Sequence, residues 1–202
     1  MKTKYSKRLI FLISLFIGIV SLTLISIMNN QYVNASTSEI QQPSFSTVTM
    51  NLFIEGIDGD SKITGRLYSI DIIAYSHSIS NPYDLATGQT TVKQHSPLRV
   101  VKEIDKATPK LLEKCLTGAG LPSVILKFYF EPNGLNFYTI ELINAQVTSV
   151  QGYGTINADN RPMETVSFTY ESIKWKYTEY DSLGNPEGTI ECQDTWLEPP
   201  PG

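Results

Sequence analysis

The stretch VILKFYFEPNGLNFYTIELINAQVTSV, residues 124–150, decides the fold. Val124, Leu126, Phe128 and Phe130 are apolar at period two, interleaved with Ile125, Lys127 and Tyr129, the pattern of a strand with a buried face. Pro132-Asn133-Gly134 then turns the chain and Phe137 to Val150 returns, which makes a β-hairpin by turn chemistry and by flanking pattern. In the return strand the apolar parity changes. Tyr138, Ile140 and Leu142 are even, whereas Ile143, Ala145 and Val147 are odd. Side chains alternate faces along a strand, so this slip predicts a β-bulge or a change of sheet near Asn144.

The same event recurs downstream, where Val166, Phe168 and Tyr170 are even and Ile173, Trp175 and Tyr177 are odd. Strands that switch faces midway are what a small barrel or bent sandwich needs to turn its corners. Tyr180 to Gly188 carries Asp181, Gly184, Asn185 and Pro186 and reads as a second hairpin loop, with a last strand over Thr189 to Trp196. Upstream, Val48, Met50, Leu52 and Ile54 alternate into the turn at Gly56 to Gly59. Arg66 to Ile79 is rich in Ile and Tyr and strand-like. One helix is expected, with Thr108 as N-cap and Pro109 at the first helical position. Leu111, Leu112, Cys115 and Leu116 share its face, and Gly118 is placed as the left-handed terminator. So short a helix must pack on a sheet, closing one end of the fold. Ser80 to Pro97 is the longest stretch without a pattern, and loops of that length often carry function.

The first 35 residues stand apart. Lys2, Lys4, Lys7 and Arg8 precede an uncharged run from Leu9 to Met28, and Val33-Asn34-Ala35 offers small or short residues for cleavage. This is the order of a secretory signal peptide. The run of about 20 residues is also long enough to span a bilayer as a hydrophobic helix, so a retained membrane anchor is the alternative. Either reading puts the remainder outside the cytoplasm, with the membrane touched only through this segment. Residues 36–46 read as a polar tether, 47–197 as the folded domain of roughly 150 residues, and 198–202 as an extended Pro-rich tail. Removing the leader leaves 12 of the 16 basic residues against all 20 acidic ones, a net of −8. That argues against nucleic acid as a partner, since phosphate binding needs clustered Lys and Arg. Cys115 and Cys192 could form a disulfide in an oxidising compartment, or stand as two small buried hydrophobes.

Residues for chemistry are sparse. His77 sits in a strand-like segment and His95 in the long loop, and both read as surface or loop histidines, because no Gly-x-Ser-x-Gly elbow presents a nucleophile. Two distant cysteines and two unclustered histidines do not make a zinc pattern. Asp58-Gly59-Asp60 lacks the remainder of an EF-hand and reads as an acidic turn. No Gly-rich phosphate loop is present, so no cofactor is expected. Glu141, Glu164 and Glu171 are candidate acids lining a barrel, or exposed strand positions. Phe128, Tyr129, Phe130, Phe137, Tyr138, Trp175 and Tyr177 could form a carbohydrate platform, or pack on one another in the core and on the sheet faces.

Several phrases taken in order resemble the Hcp (haemolysin-coregulated protein) family of type VI secretion systems. Lys102-Glu103-Ile104-Asp105-Lys106-Ala107-Thr108-Pro109 is similar to the phrase with which that family enters its single helix. Tyr138-Thr139-Ile140-Glu141-Leu142-Ile143-Asn144-Ala145-Gln146-Val147 and Pro162-Met163-Glu164-Thr165-Val166-Ser167-Phe168-Thr169-Tyr170 follow, then Trp196 as a closing Trp. The opening Met50-Asn51-Leu52-Phe53-Ile54-Glu55-Gly56 also fits. The resemblance implies a mainly β fold, a small β-barrel of two antiparallel sheets with one short α-helix. It also implies homohexameric rings that stack into a tube, carry small effector proteins and need no active site. A ring requires a heterologous interface whose rotation closes. The long loop, at Asn81, Pro82, Tyr83, Asp84 and Leu85, is a candidate subunit contact. The leader departs from the family, whose tube subunits are loaded in the cytoplasm. A monomeric exported or anchored binding module on the same barrel is therefore a second reading, and a hydrolase using the carboxylates a third.

Overall fold

The hairpin that dominates the sequence also organises the structure. The computed structural model describes residues 47–154 and 161–196, within a unit running from Ser46 to Gly202. The leader, the whole of the tether, residues 155–160 and 197, and the Pro-rich tail lie outside the described residues. The strands are β1 (Val48–Ile54), β2 (Ile70–Ile72), β3 (Ala74–Ser76), β4 (Ile79–Ser80), β5 (Tyr83–Asp84), β6 (Gln89–Thr90), β7 (Gln94–His95) and β8 (Leu98–Glu103). Helix α1 (Thr108–Thr117) follows, then β9 (Leu121–Phe130), β10 (Leu135–Tyr153), β11 (Met163–Thr169), β12 (Ser172–Tyr180) and β13 (Pro186–Thr195).

β10 belongs to two sheets. It pairs with β9 on one side up to Ala145 and with β12 on the other up to Ile143, and from Gln146 it pairs with β11. Asn144, at the switch, has φ 50, a left-handed conformation that Asn tolerates better than most residues. The change of sheet read from the parity slip is therefore present at that residue. The second parity change falls between β11 and β12, which also lie in different sheets. The first sheet runs β2-β1-β9-β10-β12-β13 and the second β10-β11-β8-β3, with every pairing antiparallel.

The sheets do not close into the expected barrel. The strand order ends at β2, β3 and β13 without returning on itself. Closure needs the last strand of one sheet to pair with the last of the other. Among the described residues β13 pairs with β12 alone, and β3 leads out of the sheet into the segment that follows it. The result is a bent sandwich folded over at Asn144. Leu52, Leu126, Ile140 and Leu142 of the first sheet share one core with Leu98, Val100, Val166 and Phe168 of the second. Each such fully buried side chain contributes about 1.5–3 kcal/mol of transfer free energy.

Three local expectations change. Helix α1 starts at Thr108 itself, with Ala107 at the N-cap position and no side-chain cap there; Pro109 and the left-handed Gly118 (φ 66) stand as expected. Of its apolar face, Leu111 is buried and Cys115 half-buried, while Leu112 and Leu116 face solvent, Leu116 at 86% exposure. α1 packs on β10. Arg66–Ile79 is strand only from Ile70 onward. Arg66 is a buried cation, stacked 4.1 Å above the Tyr129 ring and paired with Glu131 Oε1 at 2.5 Å. Its guanidinium also donates to Thr49 Oγ1 (2.7 Å) and Asn51 Oδ1 (3.2 Å), tying the Gly56–Ser69 loop to β1.

Candidate functional site

Two surfaces distinguish this body. The first is the outer side of β13, a ten-residue edge in which all but Asp194 are exposed and which meets no strand among the described residues. Ile190 stands on it, opposite Tyr177 of β12. Next to this edge, on the outer face of the first sheet, Thr139, Glu141, Lys174, Lys176, Glu191 and Gln193 line an open groove of about 290 Å³. Its charges alternate across the strands, with Lys176 3.6 Å from Glu191.

The second surface is an arm. The patternless stretch forms two short ribbons in succession, β4 with β7 and β5 with β6, so the chain leaves the sandwich after β3 and returns into β8. The candidate contact residues Asn81 to Leu85 lie at its outer end, where Leu85 is 90% exposed. Asp84 turns the tip by accepting from the Ala86 amide (2.8 Å) and the Thr87 hydroxyl (2.9 Å). These bonds hold its carboxyl below the usual carboxylate range.

The arm is anchored at its base by residues that the sequence left unconnected. His77 and His95, read as separate surface or loop residues, flank the arm and converge on the hydroxyl of Tyr170, at 2.6 Å from Nε2 of His77 and 2.9 Å from Nδ1 of His95. Nε2 of His95 is 3.2 Å from Asp194 Oδ2, and Lys93 also pairs with Asp194. Trp196 packs edge-on to Tyr170 with centroids 4.9 Å apart and 5.7 Å from His95, and Trp175 lies 6.2 Å from His77. Burial, and then the charge of Asp194, push the Tyr170 hydroxyl far above its usual value, so it stays protonated. Burial acts to raise Asp194, but the Lys93 hydrogen bond, the Thr195 amide and the Lys93 charge hold it below the usual carboxylate range. The one signal in the sequence was position, since a histidine stands at each end of the patternless stretch.

The candidate acids are not brought together as a lining. Glu164 is 1% exposed and pairs with the fully buried Lys102 at 2.9 Å. Lys102 also pairs with Asp105 at 2.6 Å, and the Thr108 hydroxyl donates to Glu164 at 2.8 Å. Glu141 accepts from Ser123 in the groove (3.2 Å), and Glu171 from Asn144 (2.6 Å). Cys115 on α1 and Cys192 on the exposed β13 are free thiols and do not bridge. The aromatic residues pack on one another, with Phe128 and Tyr129 buried and Phe130 stacked on Phe137 at 4.0 Å. Among the described residues no group of three His, Cys, Asp or Glu could hold a metal, and no helix is long and apolar enough to cross a membrane.

The features that stand out in the described residues of this bent β-sandwich are its long exposed sheet edge and its anchored arm. Residues 51–177 match the family described as "Type VI secretion system effector, Hcp". The chain belongs to that family. It is 26% identical over 164 residues to the "Major exported protein" of Pseudomonas aeruginosa, covering 77% of this chain and 91% of that one. A variant of the Hcp1 protein from E. coli EAEC 042 superposes with a TM-score of 0.59 at 28% identity, covering 74% of this chain and 98% of that one. Hcp1 from Salmonella typhimurium has the same fold, with a TM-score of 0.62 at 23% identity over 74% and 95% of the two chains.

Proposed function

We propose that this protein is an exported tube subunit that assembles side by side into closed homohexameric rings, which stack and carry small effector proteins. The observation that carries this reading is the pair of open ends on the first sheet, β2 at one side and the long exposed β13 at the other. Two different edges meeting head to tail make a heterologous contact, the kind that closes into rings. β13 is long, exposed and without Pro in its interior, and an edge of that kind is a template for another chain. The arm, exposed at Asn81 to Leu85, supplies a reach toward a neighbouring subunit or ring. Membership of the Hcp family and the relative named for its export support the assignment, and the leader over residues 1–35 supplies the route out, as a cleaved signal or a retained anchor. The remaining partners are other components of the secretion system.

The test is light scattering coupled to size exclusion on protein recovered from outside the producing cells, with its N-terminus sequenced. A hexamer that falls to smaller species in Ile190→Lys is expected, since a Lys on an edge strand opposes pairing. A monomer at high concentration would reject ring assembly and favour a monomeric exported module.

A further inference from the structure

We propose that the base of the arm is a pH-sensitive latch, in which neutral His77 and His95 hold the arm on Tyr170 and a proton on His77 releases it. The donors and acceptors fix the direction of the hydrogen-bond chain. Asp194 is ionised and can only accept, so Nε2 of His95 carries the hydrogen at the 3.2 Å contact. In the neutral ring that leaves Nδ1 as an acceptor, and the Tyr170 hydroxyl donates to it at 2.9 Å. The Tyr170 oxygen then accepts from Nε2–H of His77 at 2.6 Å. With both rings neutral, the chain of donors runs His77 to Tyr170 to His95 to Asp194.

The two histidines are not equivalent. His95 has a carboxylate, Asp194, which it shares with Lys93. His77 faces Tyr170, Trp175 and His95, and among the described residues no carboxylate pairs with it. A positive charge on His77 would therefore be half-buried, unpaired and close to a second imidazole. Burial first, and His95 second, depress the His77 pKa below 6.5. With the arm lifted, His77 reaches water and titrates at its ordinary value. The open form thus binds the extra proton more readily. The docked state keeps its full advantage above pH 6.5 and loses it as pH falls through the lowered value. The latch needs only one chain and does not depend on ring assembly.

The chain has two tryptophans, and both lie at the latch and are partly exposed in the docked form, so acrylamide quenching of the full-length protein reads a rise above that starting level. Accessible tryptophan should rise between pH 8 and pH 5 with a midpoint below 6.5, by at most about tenfold per pH unit, the limit for one proton. His77→Gln keeps an N–H for Tyr170 but cannot titrate, and should give a flat, low profile. Tyr170→Phe removes the shared hydroxyl and should give high accessibility already at pH 8. A wild-type profile flat over this range, or a His77→Gln profile with the wild-type midpoint and amplitude, would overturn the proposal.

Discussion

Replacing Lys102 with Met tests the buried ionic node where β8, α1 and β11 meet. The ammonium is fully buried and serves Glu164 (2.9 Å), Asp105 (2.6 Å), the Glu103 carbonyl (2.8 Å) and the Thr108 hydroxyl (3.2 Å). Met has a similar volume and leaves no void, so the loss is electrostatic rather than a packing defect. What remain are the Glu164 carboxylate at 1% exposure, with the Thr108 hydroxyl as donor, and the Asp105 carboxylate, which keeps the Ala107 amide. Removing one partner of a buried pair costs about 3–5 kcal/mol, because the other charge stays buried without compensation. Whole domains are stable by only about 5–15 kcal/mol. In a domain of this size the loss corresponds to a fall in Tm of roughly 6–20 °C. Urea unfolding followed by circular dichroism measures it directly, and Lys102→Met with Glu164→Gln should recover a large part of the deficit. A single-substitution loss under about 1 kcal/mol, the value of an exposed pair, would refute the reasoning.

Two further outcomes follow from the geometry. Glu131 is held below the usual carboxylate range first by its hydrogen bond from Arg66 and then by that from Thr49. Its stabilising effect is present above the ordinary value and lost as pH falls through the lowered one. Arg66→Met should move the Glu131 titration upward, as read by NMR, and bring acid unfolding to a higher pH. Asn144→Val places a β-branched residue at φ 50 and should cost about 1–2 kcal/mol in chemical denaturation, whereas Asn144→Gly should leave stability close to wild type.

What could be read in advance was periodic or local. The hairpin of β9 and β10, the change of sheet at Asn144 and the left-handed Gly118 each leave a mark within a few residues: an alternation, a slip or a turn residue. The barrel was a step too far, because alternation reports which face of a strand is buried but not whether the outermost strands find each other. The exposure of Leu112 and Leu116 was missed for a related reason. Helical spacing put them on the face of Leu111, yet a helix lying on β10 covers only part of that face. The polar nodes left no periodic trace. Arg66 is buried by partners from β1 and from the turn after β9, and His77, His95, Tyr170 and Asp194 meet only once four separate segments are in place. The arm likewise shows no alternation, since two-residue strands are too short to establish a period.

The Lys102 node also bears on how the fold selects one register. Lys102 and Glu164 are direct cross-strand partners in the β8–β11 ladder, in line with the core pairs Val100–Val166 and Leu98–Phe168. An all-apolar ladder of Val, Leu and Phe discriminates weakly between neighbouring registers on the same face, because one branched side chain replaces another at small cost. With a charge pair at the end of the row, a shift by two residues leaves an ammonium and a carboxylate buried against apolar partners. A shift by one turns both out of the core and draws the polar face in. Each alternative loses several kcal/mol that the native pairing keeps. The neutralised double variant, Lys102→Met with Glu164→Gln, therefore separates two roles that the single substitution confounds. Stability close to wild type, together with faster hydrogen exchange along β8 and β11, would mean that the ion pair specifies the pairing more than it strengthens it. Unchanged exchange would assign the register to the shape of Phe168 and its neighbours instead.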